Sequence, residues 1–252
     1  MPSPALQMNG TTRSRVTSQY ALLSPDTFVY ASMPGWTASR MAVHISPALG
    51  ANFTQYSVWM DAAASAGAPA AGVERFVFVD LGEVIVEFAG QKHKLSEGGY
   101  AFIPAGVPHS LIASQPARLD VFEKLYAPRE GIGMPAPVIG REQAIAGNSF
   151  MGDEAAMLKL LLPDAPEYDL AVNIFAYQPG ANLPQVEIHI MEHGLRMLAG
   201  AGVYRLGDDW FPVEAGDVIW MAPYCPQWFV AMGKTPARYV YYKDMNRDPV
   251  GE

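Results

Sequence analysis

The feature that most constrains the fold of this chain is an internal repeat with a period of 118 residues. Three pairs of positions show the spacing: Gly82 and Gly200, Gly98 and Gly216, and His109 and Gln227. Each copy consists of an apolar segment, a glycine turn, an alternating segment, a second glycine turn, another apolar segment and a proline-containing turn. Such self-similarity indicates two copies of one structural unit.

The repeated segments are typical of β-strands, because they are short, rich in β-branched and aromatic residues, and bounded by Gly, Pro or Asp. The predicted strands are 57–60, 75–79, 83–88 and 100–103 in the first half, and 170–177, 202–206, 217–221 and 239–243 in the second. Helical periodicity is weak, and short helices are expected only at 142–146 and 153–161. The sequence therefore predicts a mostly β protein.

The two copies are separated by a stretch rich in Pro, Gly and Ala, which is typical of a linker. We predict an N-terminal domain at 1–130 that includes an N-terminal extension, a linker at 131–150, and a C-terminal domain at 151–252. The first 30 or so residues are expected to pack on the outside or against the partner domain.

Composition excludes several classes of function. The net charge is −8 and only 17% of the 252 residues are charged, with no basic run, so nucleic-acid binding is not expected. The single cysteine, Cys225, excludes an internal disulfide and fits a reducing compartment. The N-terminus lacks the apolar region of a signal peptide, and the longest apolar run, 157–162, is far shorter than a membrane span. We expect a soluble, cytoplasmic protein that acts on a small molecule.

Three candidate metal ligands, Glu187, His189 and His193, lie within seven residues. They share the same parity, so their side chains would project from one face of an extended strand. Two imidazoles and one carboxylate suit Mn, Fe(II) or Zn and leave positions open for water or substrate. The alternative is a polar strand face at a barrel mouth, which any one histidine alone would favour. Gln227 follows a proline-rich turn, and by its spacing alone it could equally be an amide satisfied within the protein.

The internal repeat predicts that only the second half binds a metal. The four candidate positions correspond, 118 residues earlier, to Pro69, Ala71, Arg75 and His109. Of these only His109 can bind a metal, one imidazole cannot hold the ion alone, and the charge of Arg75 would repel it. We therefore predict that the N-terminal copy is metal-free and structural.

These patterns resemble the two metal-binding motifs of cupins. The region from Gly180 to Gly200 resembles the first motif, and the region from Gly216 to Gln227 resembles the second, with Gln227 where many cupins have histidine. In the first half, the residues from Gly98 to His109 match the second motif. The resemblance implies a bicupin, that is, two jelly-roll β-barrels in tandem.

Nearly the whole chain resembles the (S)-ureidoglycine aminohydrolase family. The segments that carry this resemblance are 18–26, 95–100, 187–194 and 242–248. Most specific are the Glu-x-His-x3-His-Gly motif with its distal glutamine, and the C-terminal Lys-Asp-x-Asn-Arg-Asp. The resemblance implies a Mn²⁺-dependent enzyme of allantoin and purine degradation, which hydrolyses (S)-ureidoglycine to (S)-ureidoglycolate and ammonia.

The resemblance also implies roles for individual residues. The implied metal ligands are Glu187, His189, His193 and Gln227. The implied substrate contacts are Glu187, Gln227, Tyr204, Tyr239 and Lys243. Lys243 would pair with the substrate carboxylate or transfer a proton. Glu187 would carry a proton to the departing amine. Glu192, of opposite parity to the ligands, is expected to contact them indirectly or to lie on the surface.

Two other functions remain open from the sequence. One is a different metal-dependent cupin enzyme, such as an Fe(II) dioxygenase or an isomerase. Dioxygenase cupins usually carry a further histidine where Gln227 stands, which speaks against that reading. The other is a non-catalytic cupin that binds a small ligand or serves as a structural module, which the intact ligand set disfavours. A homo-oligomer is expected, because cupins commonly cover exposed sheet edges in this way.

Overall fold

A computed structural model describes residues 12–248, which consist almost entirely of β-strands. The strands are β1 Arg15–Val16, β2 Tyr20–Leu23, β3 Trp36–Ile45, β4 Phe53–Ala66, β5 Val73–Leu81, β6 Glu83–Phe88, β7 Gln91–Ser96, β8 Gly99–Ile103, β9 His109–Ile112, β10 Ala117–Leu125, β11 Val138–Arg141, β12 Asn148–Phe150, β13 Asp153–Leu160, β14 Leu170–Tyr177, β15 His193–Ala199, β16 Ala201–Leu206, β17 Asp209–Glu214, β18 Val218–Met221, β19 Gln227–Met232 and β20 Ala237–Asp244. Three short 3-10 helices are Pro25–Thr27, Pro47–Leu49 and Glu142–Ala144. None of the helices in this part of the chain is long and apolar enough to cross a membrane.

The predicted strands are confirmed, since all but one lie entirely within observed strands and the exception, 217–221, starts one residue before β18. The prediction of a helix at 153–161 is wrong, because residues 153–160 form β13. At 142–146, where a short helix was predicted, the structure has only a single 3-10 turn. β13 pairs with β14 from Ala156 to Leu160, so tertiary pairing outweighs the weak local preference of this segment.

Three sheets build the molecule. The first has the order β11-β8-β5-β10-β4-β9-β6-β7, with β3 also paired to β4. The second has the order β1-β2-β18-β15-β20-β14-β13-β12, and the third is β17-β16-β19. We call the first sheet the N-terminal half, and the second and third sheets together the C-terminal half.

Strand alternation divides the apolar side chains among three cores. One core fills the N-terminal half, and another lies between the two sheets of the C-terminal half. The third lies between the halves, where the two large sheets face each other. On β20, for example, Tyr239 belongs to the core of the C-terminal half, whereas Val240 and Tyr242 belong to the core between the halves.

Each repeat contributes a strand to the other half. β2 pairs with β18 of the C-terminal half, whereas β11 pairs with β8 of the N-terminal half. β2 and β11 are themselves 118 residues apart, so they are equivalent strands of the two repeats. β11 and β12 lie inside the range predicted as a linker, whereas the proposed domain boundaries stay a prediction. The exchange means that neither half completes its sheet without a strand from the other repeat.

The C-terminal motif holds distant loops in place. Asn246 Nδ2 donates to the carbonyl oxygens of Ala165 and Tyr168, at 3.0 and 2.9 Å. Arg247 donates from Nε to the carbonyl of Ala127 at 2.6 Å and from Nη1 to that of Pro166 at 3.0 Å. Part of this motif therefore ties residues 246–247 to the loop between β13 and β14 and, at Ala127, to the connection between the halves.

A buried group of charged side chains joins the halves beside this connection. Lys124 Nζ of the N-terminal half lies 3.2 Å from Asp169 Oδ2 and 3.5 Å from Asp244 Oδ1 of the C-terminal half. Glu74 is fully buried next to Asp169. Burial raises the pKa of Glu74, the hydrogen bond with Asp169 and the charge of that residue raise it further, and Lys124 and Arg247 oppose the rise. Glu74 is thus held in its protonated form.

We predict that Glu74→Gln reduces the loss of stability with rising pH. A carboxyl group whose pKa is raised in the folded state favours folding below its unfolded pKa, and this contribution is lost as pH rises towards the folded pKa. The wild-type free energy of unfolding should therefore fall by up to about 1.4 kcal/mol per pH unit above the ordinary carboxyl range because of this group. Glutamine has the same shape and no charge. The free energy of unfolding of the variant should therefore rise relative to that of the wild type between about pH 5.5 and 8. Urea unfolding at both pH values measures the difference, and equal slopes would contradict the assignment.

Candidate metal centre and active site

A cavity of about 220 Å³ opens into the C-terminal half. Every site residue predicted from the sequence lines it: Glu187, His189, His193, Tyr204, Gln227, Tyr239 and Lys243. They come from four different strands and one loop, so only the folded chain brings them together. Their individual roles stay predictions.

The segment that carries the ligands is not one continuous strand, so the premise of the parity argument is wrong. Glu187 forms an isolated bridge with Gln227, with N–H to O distances of 2.9 and 3.0 Å in the two directions. Residues 188–192 form no strand, and β15 begins at His193. The two histidines nevertheless meet, because the chain bends between them and presents both rings to the same point.

The histidine rings are oriented by backbone carbonyls. Nδ1 of His189 lies 3.1 Å from the oxygen of Met191, and Nδ1 of His193 lies 3.2 Å from that of Tyr242. If each Nδ1 carries the hydrogen, as these acceptors require, each Nε2 presents a lone pair. The two Nε2 atoms are 3.1 Å apart, and a cation close to both would remove the repulsion between their lone pairs.

Both rings are neutral in this environment. Burial lowers the pKa of His189, and burial together with the neighbouring His189 lowers the pKa of His193 to about 3. A neutral imidazole is the form that binds a metal ion. The surroundings therefore prepare both rings as ligands.

Gln227 adds an amide to the same point. Its Nε2 is 3.0 Å from Nε2 of His189, and the hydroxyl of Tyr204 is 3.5 Å from its Oε1. The two ends of an amide side chain differ little in shape, and a half-turn of the group exchanges them. After that turn the oxygen would face the histidines as a hard donor, while the nitrogen would face Tyr204.

Glu187 and Lys243 supply the charges of the cavity. Burial raises the pKa of Glu187, and the nearby Lys243 opposes that shift. Burial lowers the pKa of Lys243, which Asp164 and Glu187 oppose. Within residues 12–248 the two side chains act on each other through their charges, but neither has a hydrogen bond or an ion pair within 4 Å. Both are thus available to a ligand.

The donor set fits a divalent ion, although its members are not gathered tightly. Across the described residues no three His, Cys, Asp or Glu side chains are close enough to form a metal site. The group that does meet consists of two imidazoles and an amide, and the carboxylate of Glu187 lines the same cavity. Two nitrogen and two oxygen donors of this kind suit a first-row divalent metal.

Two polar residues of the cavity wall carry no assigned role in the sequence prediction. Asn173 on β14 is buried, pairs in register with Tyr241 on β20, and has a side-chain oxygen without a hydrogen-bond partner. Tyr241 also lines the cavity, with a pKa raised by burial. Asn173 could have been found from the sequence, because it is the only polar side chain in the otherwise apolar segment 170–177 apart from the terminal Tyr177.

The equivalent place in the N-terminal half is filled by an ion pair. Arg75, which corresponds to His193, lies 2.7 Å from Glu123 and is 3% exposed. Its Nη1 also lies 3.2 Å from Nε2 of His109, the counterpart of Gln227. A fixed guanidinium beside the one available imidazole gives a physical reason for the prediction that this half holds no metal.

Comparison with known proteins agrees with the fold and indicates the family. The family model described as a cupin domain matches residues 173–242. The (S)-ureidoglycine aminohydrolase of Arabidopsis thaliana is 40% identical over 252 residues, which cover 99% of this chain and 83% of that protein. The crystal structure of YlbA from Escherichia coli has a TM-score of 0.85 at 30% identity, covering 96% of this chain and 98% of that one. A variant of Bacillus subtilis oxalate decarboxylase has a TM-score of 0.70 at 12% identity, covering 96% and 81%, which is a similarity of fold alone.

The paired β-barrels and the cupin-domain match define a bicupin and confirm the predicted fold. The resemblance drawn from the motifs is confirmed as well. The chain belongs to the (S)-ureidoglycine aminohydrolase family, and it is an enzyme of the hydrolase class that acts on C–N bonds.

We predict that Arg75→Met lowers the free energy of unfolding by about 3 kcal/mol, because it leaves the mostly enclosed carboxylate of Glu123 without its cation. The double variant Arg75→Met/Glu123→Leu should recover most of the loss, since it removes both charges. Denaturant unfolding of the three proteins measures this. A single variant as stable as the wild type would show that the ion pair does not support the N-terminal half.

Proposed function

We propose that this protein hydrolyses (S)-ureidoglycine to (S)-ureidoglycolate and ammonia, with Mn²⁺ bound by Glu187, His189, His193 and Gln227. The observation that carries the proposal is the meeting of two neutral imidazoles and an amide in a cavity that also holds a free carboxylate and a free ammonium. The relatives named for this reaction support the choice of substrate.

The charges of the cavity suit this substrate. Ureidoglycine carries a carboxylate, an amine and a ureido group on one carbon. Lys243 is the only Lys or Arg among the described residues that line the cavity, so it is the natural partner of the substrate carboxylate. Because Lys243 is only partly exposed, this contact is screened less by water than one on the surface.

The metal, when bound, supplies Lewis acidity that polarises the substrate and makes water more acidic. The protein's part is to hold the donors ready. The carbonyl oxygens of Met191 and Tyr242 keep the two histidine rings in the orientation that leaves Nε2 free. Gln227 provides a neutral oxygen donor, which favours Lewis-acid chemistry over activation of O₂.

The reaction requires one proton to move from water to the departing amine, as a C–O bond forms and the C–N bond breaks. Glu187 would carry this proton, because its side chain lines the cavity and burial raises its pKa, which favours uptake of a proton. Lys243 anchors the carboxylate. In the alternative role, its lowered pKa would let it exchange the proton itself.

Tyrosine hydroxyls position the remaining polar groups. Tyr239 shares a hydrogen bond of 3.1 Å with Tyr177, which holds its hydroxyl at the cavity wall. Tyr204 faces the amide of Gln227. Burial raises the pKa of both Tyr204 and Tyr239 well above the usual value, so both act as neutral hydrogen-bond donors to the ligand sphere and the substrate.

The test of this function is ammonia release from freshly generated (S)-ureidoglycine. We expect metal-stripped protein to stay near the spontaneous rate and Mn²⁺ to restore catalysis with formation of the (S)-enantiomer of ureidoglycolate. Chiral analysis of the product separates catalysis from the spontaneous reaction. A metal-loaded protein that does not accelerate ammonia release would refute the proposed substrate.

We predict that Lys243→Met retains the metal but loses at least about 100-fold in turnover, because the substrate carboxylate loses its cation and a proton donor is removed. His193→Ala should lose both metal and turnover. Lys94→Met is the matched control, since Lys94 is exposed and pairs with Glu83 far from the cavity. Metal content and ammonia release measure the set, and full activity in Lys243→Met would exclude both roles of this residue.

A further inference from the structure

The loop that carries the metal-site histidines is attached to the other half of the molecule. Glu192, immediately before His193, is completely buried. Its Oε1 accepts the backbone N–H of Asn52 at 2.7 Å, and Asn52 belongs to the N-terminal half. Its Oε2 accepts the indole N–H of Trp220 at 3.0 Å. Both oxygens of the carboxylate are therefore committed.

The residue on the other side of His193 also meets the N-terminal half. A side chain at Gly194 would come within 2.4 Å of the ring of Phe53 and 2.7 Å of Oε1 of Gln55, so only glycine fits at this contact. Phe53 also stacks on Tyr242, with ring centroids 3.9 Å apart. The carbonyl of Tyr242 is the group that orients Nδ1 of His193.

Few other bonds hold this loop. Residues 188–192 belong to no strand, so no ladder of backbone hydrogen bonds fixes them. The carbonyl of His189 accepts the N–H of Tyr224 at 2.7 Å, and the carbonyl of Glu192 accepts that of Asp244 at 3.4 Å. The carboxylate of Glu192 is thus the side chain that ties the loop to the other half of the molecule.

We propose that the N-terminal half, which lacks the donor set, helps to position the metal centre of the C-terminal half. Glu192 is the positioning residue through which it does so. This inference rests on the metal site proposed above. The N-terminal half holds Glu192 from one side of His193 and Gly194 from the other, so the ring of His193 is fixed by packing from both halves. Loss of this support should let the loop move and weaken metal binding without removing any ligand.

The test is Mn²⁺ titration of the metal-free protein, followed by the paramagnetic signal of free Mn²⁺. We expect Glu192→Gln to bind Mn²⁺ about 10- to 100-fold more weakly than the wild type, because loss of a residue that orients ligands typically has an effect of that size. Phe53→Leu, a change in the N-terminal half that weakens its packing on Gly194 and Tyr242, should weaken binding in the same direction. Thermal unfolding of each metal-free protein reports whether the fold itself has changed.

Two further variants separate the anchor from general effects. Glu142→Gln is the matched control, since Glu142 is a buried carboxylate that pairs with Arg238 and does not touch the ligand loop, and it should bind Mn²⁺ as the wild type does. Trp220→Phe removes only the bond within the C-terminal half, so it should weaken binding less than Glu192→Gln. If Glu192→Gln does not fold, Glu192→Asp keeps the charge and shortens its reach.

The result that would overturn the proposal is wild-type Mn²⁺ affinity in both Glu192→Gln and Phe53→Leu. An equal loss in the Glu142→Gln control would also overturn it, since the effect would then be general. If (S)-ureidoglycine is not the substrate, the Mn²⁺ affinities of all these variants can still be measured. That outcome is therefore distinguishable from failure of the present proposal. A wild-type protein that binds no Mn²⁺ would refute both proposals.

Discussion

The packing of the two large sheets against each other is the interaction on which the rest of the structure depends. Aromatic rings from both halves interleave there, with Phe53 and Phe122 on one side and Trp220 and Tyr242 on the other. Burial of such rings provides a large apolar contribution to stability. Because side chains on β20 alternate, fixing Tyr242 in this interface also fixes Tyr241 and Lys243 on the cavity side. The geometry of the cavity is therefore set from outside it.

The two repeats use one fold for different purposes. At equivalent positions, the C-terminal half presents His193 and Gln227 to a cavity, whereas the N-terminal half pairs Arg75 with Glu123 beside His109. One arrangement leaves nitrogen and oxygen donors free, and the other neutralises its own charges. The exchanged strands β2 and β11 bind the two halves together. The N-terminal half, which lacks the donor set, therefore still helps to shape the C-terminal half, which has it.

The strands could be predicted because each is apolar, β-branched and bounded by turn residues, as in β6 and β14. The segment 153–160 could not, because its alanines, leucines and methionine suit a helix equally well until β14 offers a partner. The site residues could be predicted as a set, yet the reason they meet was different. His189 and His193 converge through a bend and two carbonyl contacts rather than along one strand face. Asn173 stands out as the one amide in an apolar strand, but nothing in the sequence shows that its side chain faces a cavity.

By itself, the sequence determined the repeated β architecture, the asymmetry between the two copies and three candidate donors, Glu187, His189 and His193, since these follow from residue type and spacing along the chain. Gln227 was added to the donors by the family resemblance. Only the tertiary structure decided that β2 and β11 each join the other half, and that Glu192 reaches Asn52 across 140 positions. These contacts depend on which surfaces pack together. That choice is made by the summed burial of many side chains, and no local pattern records it.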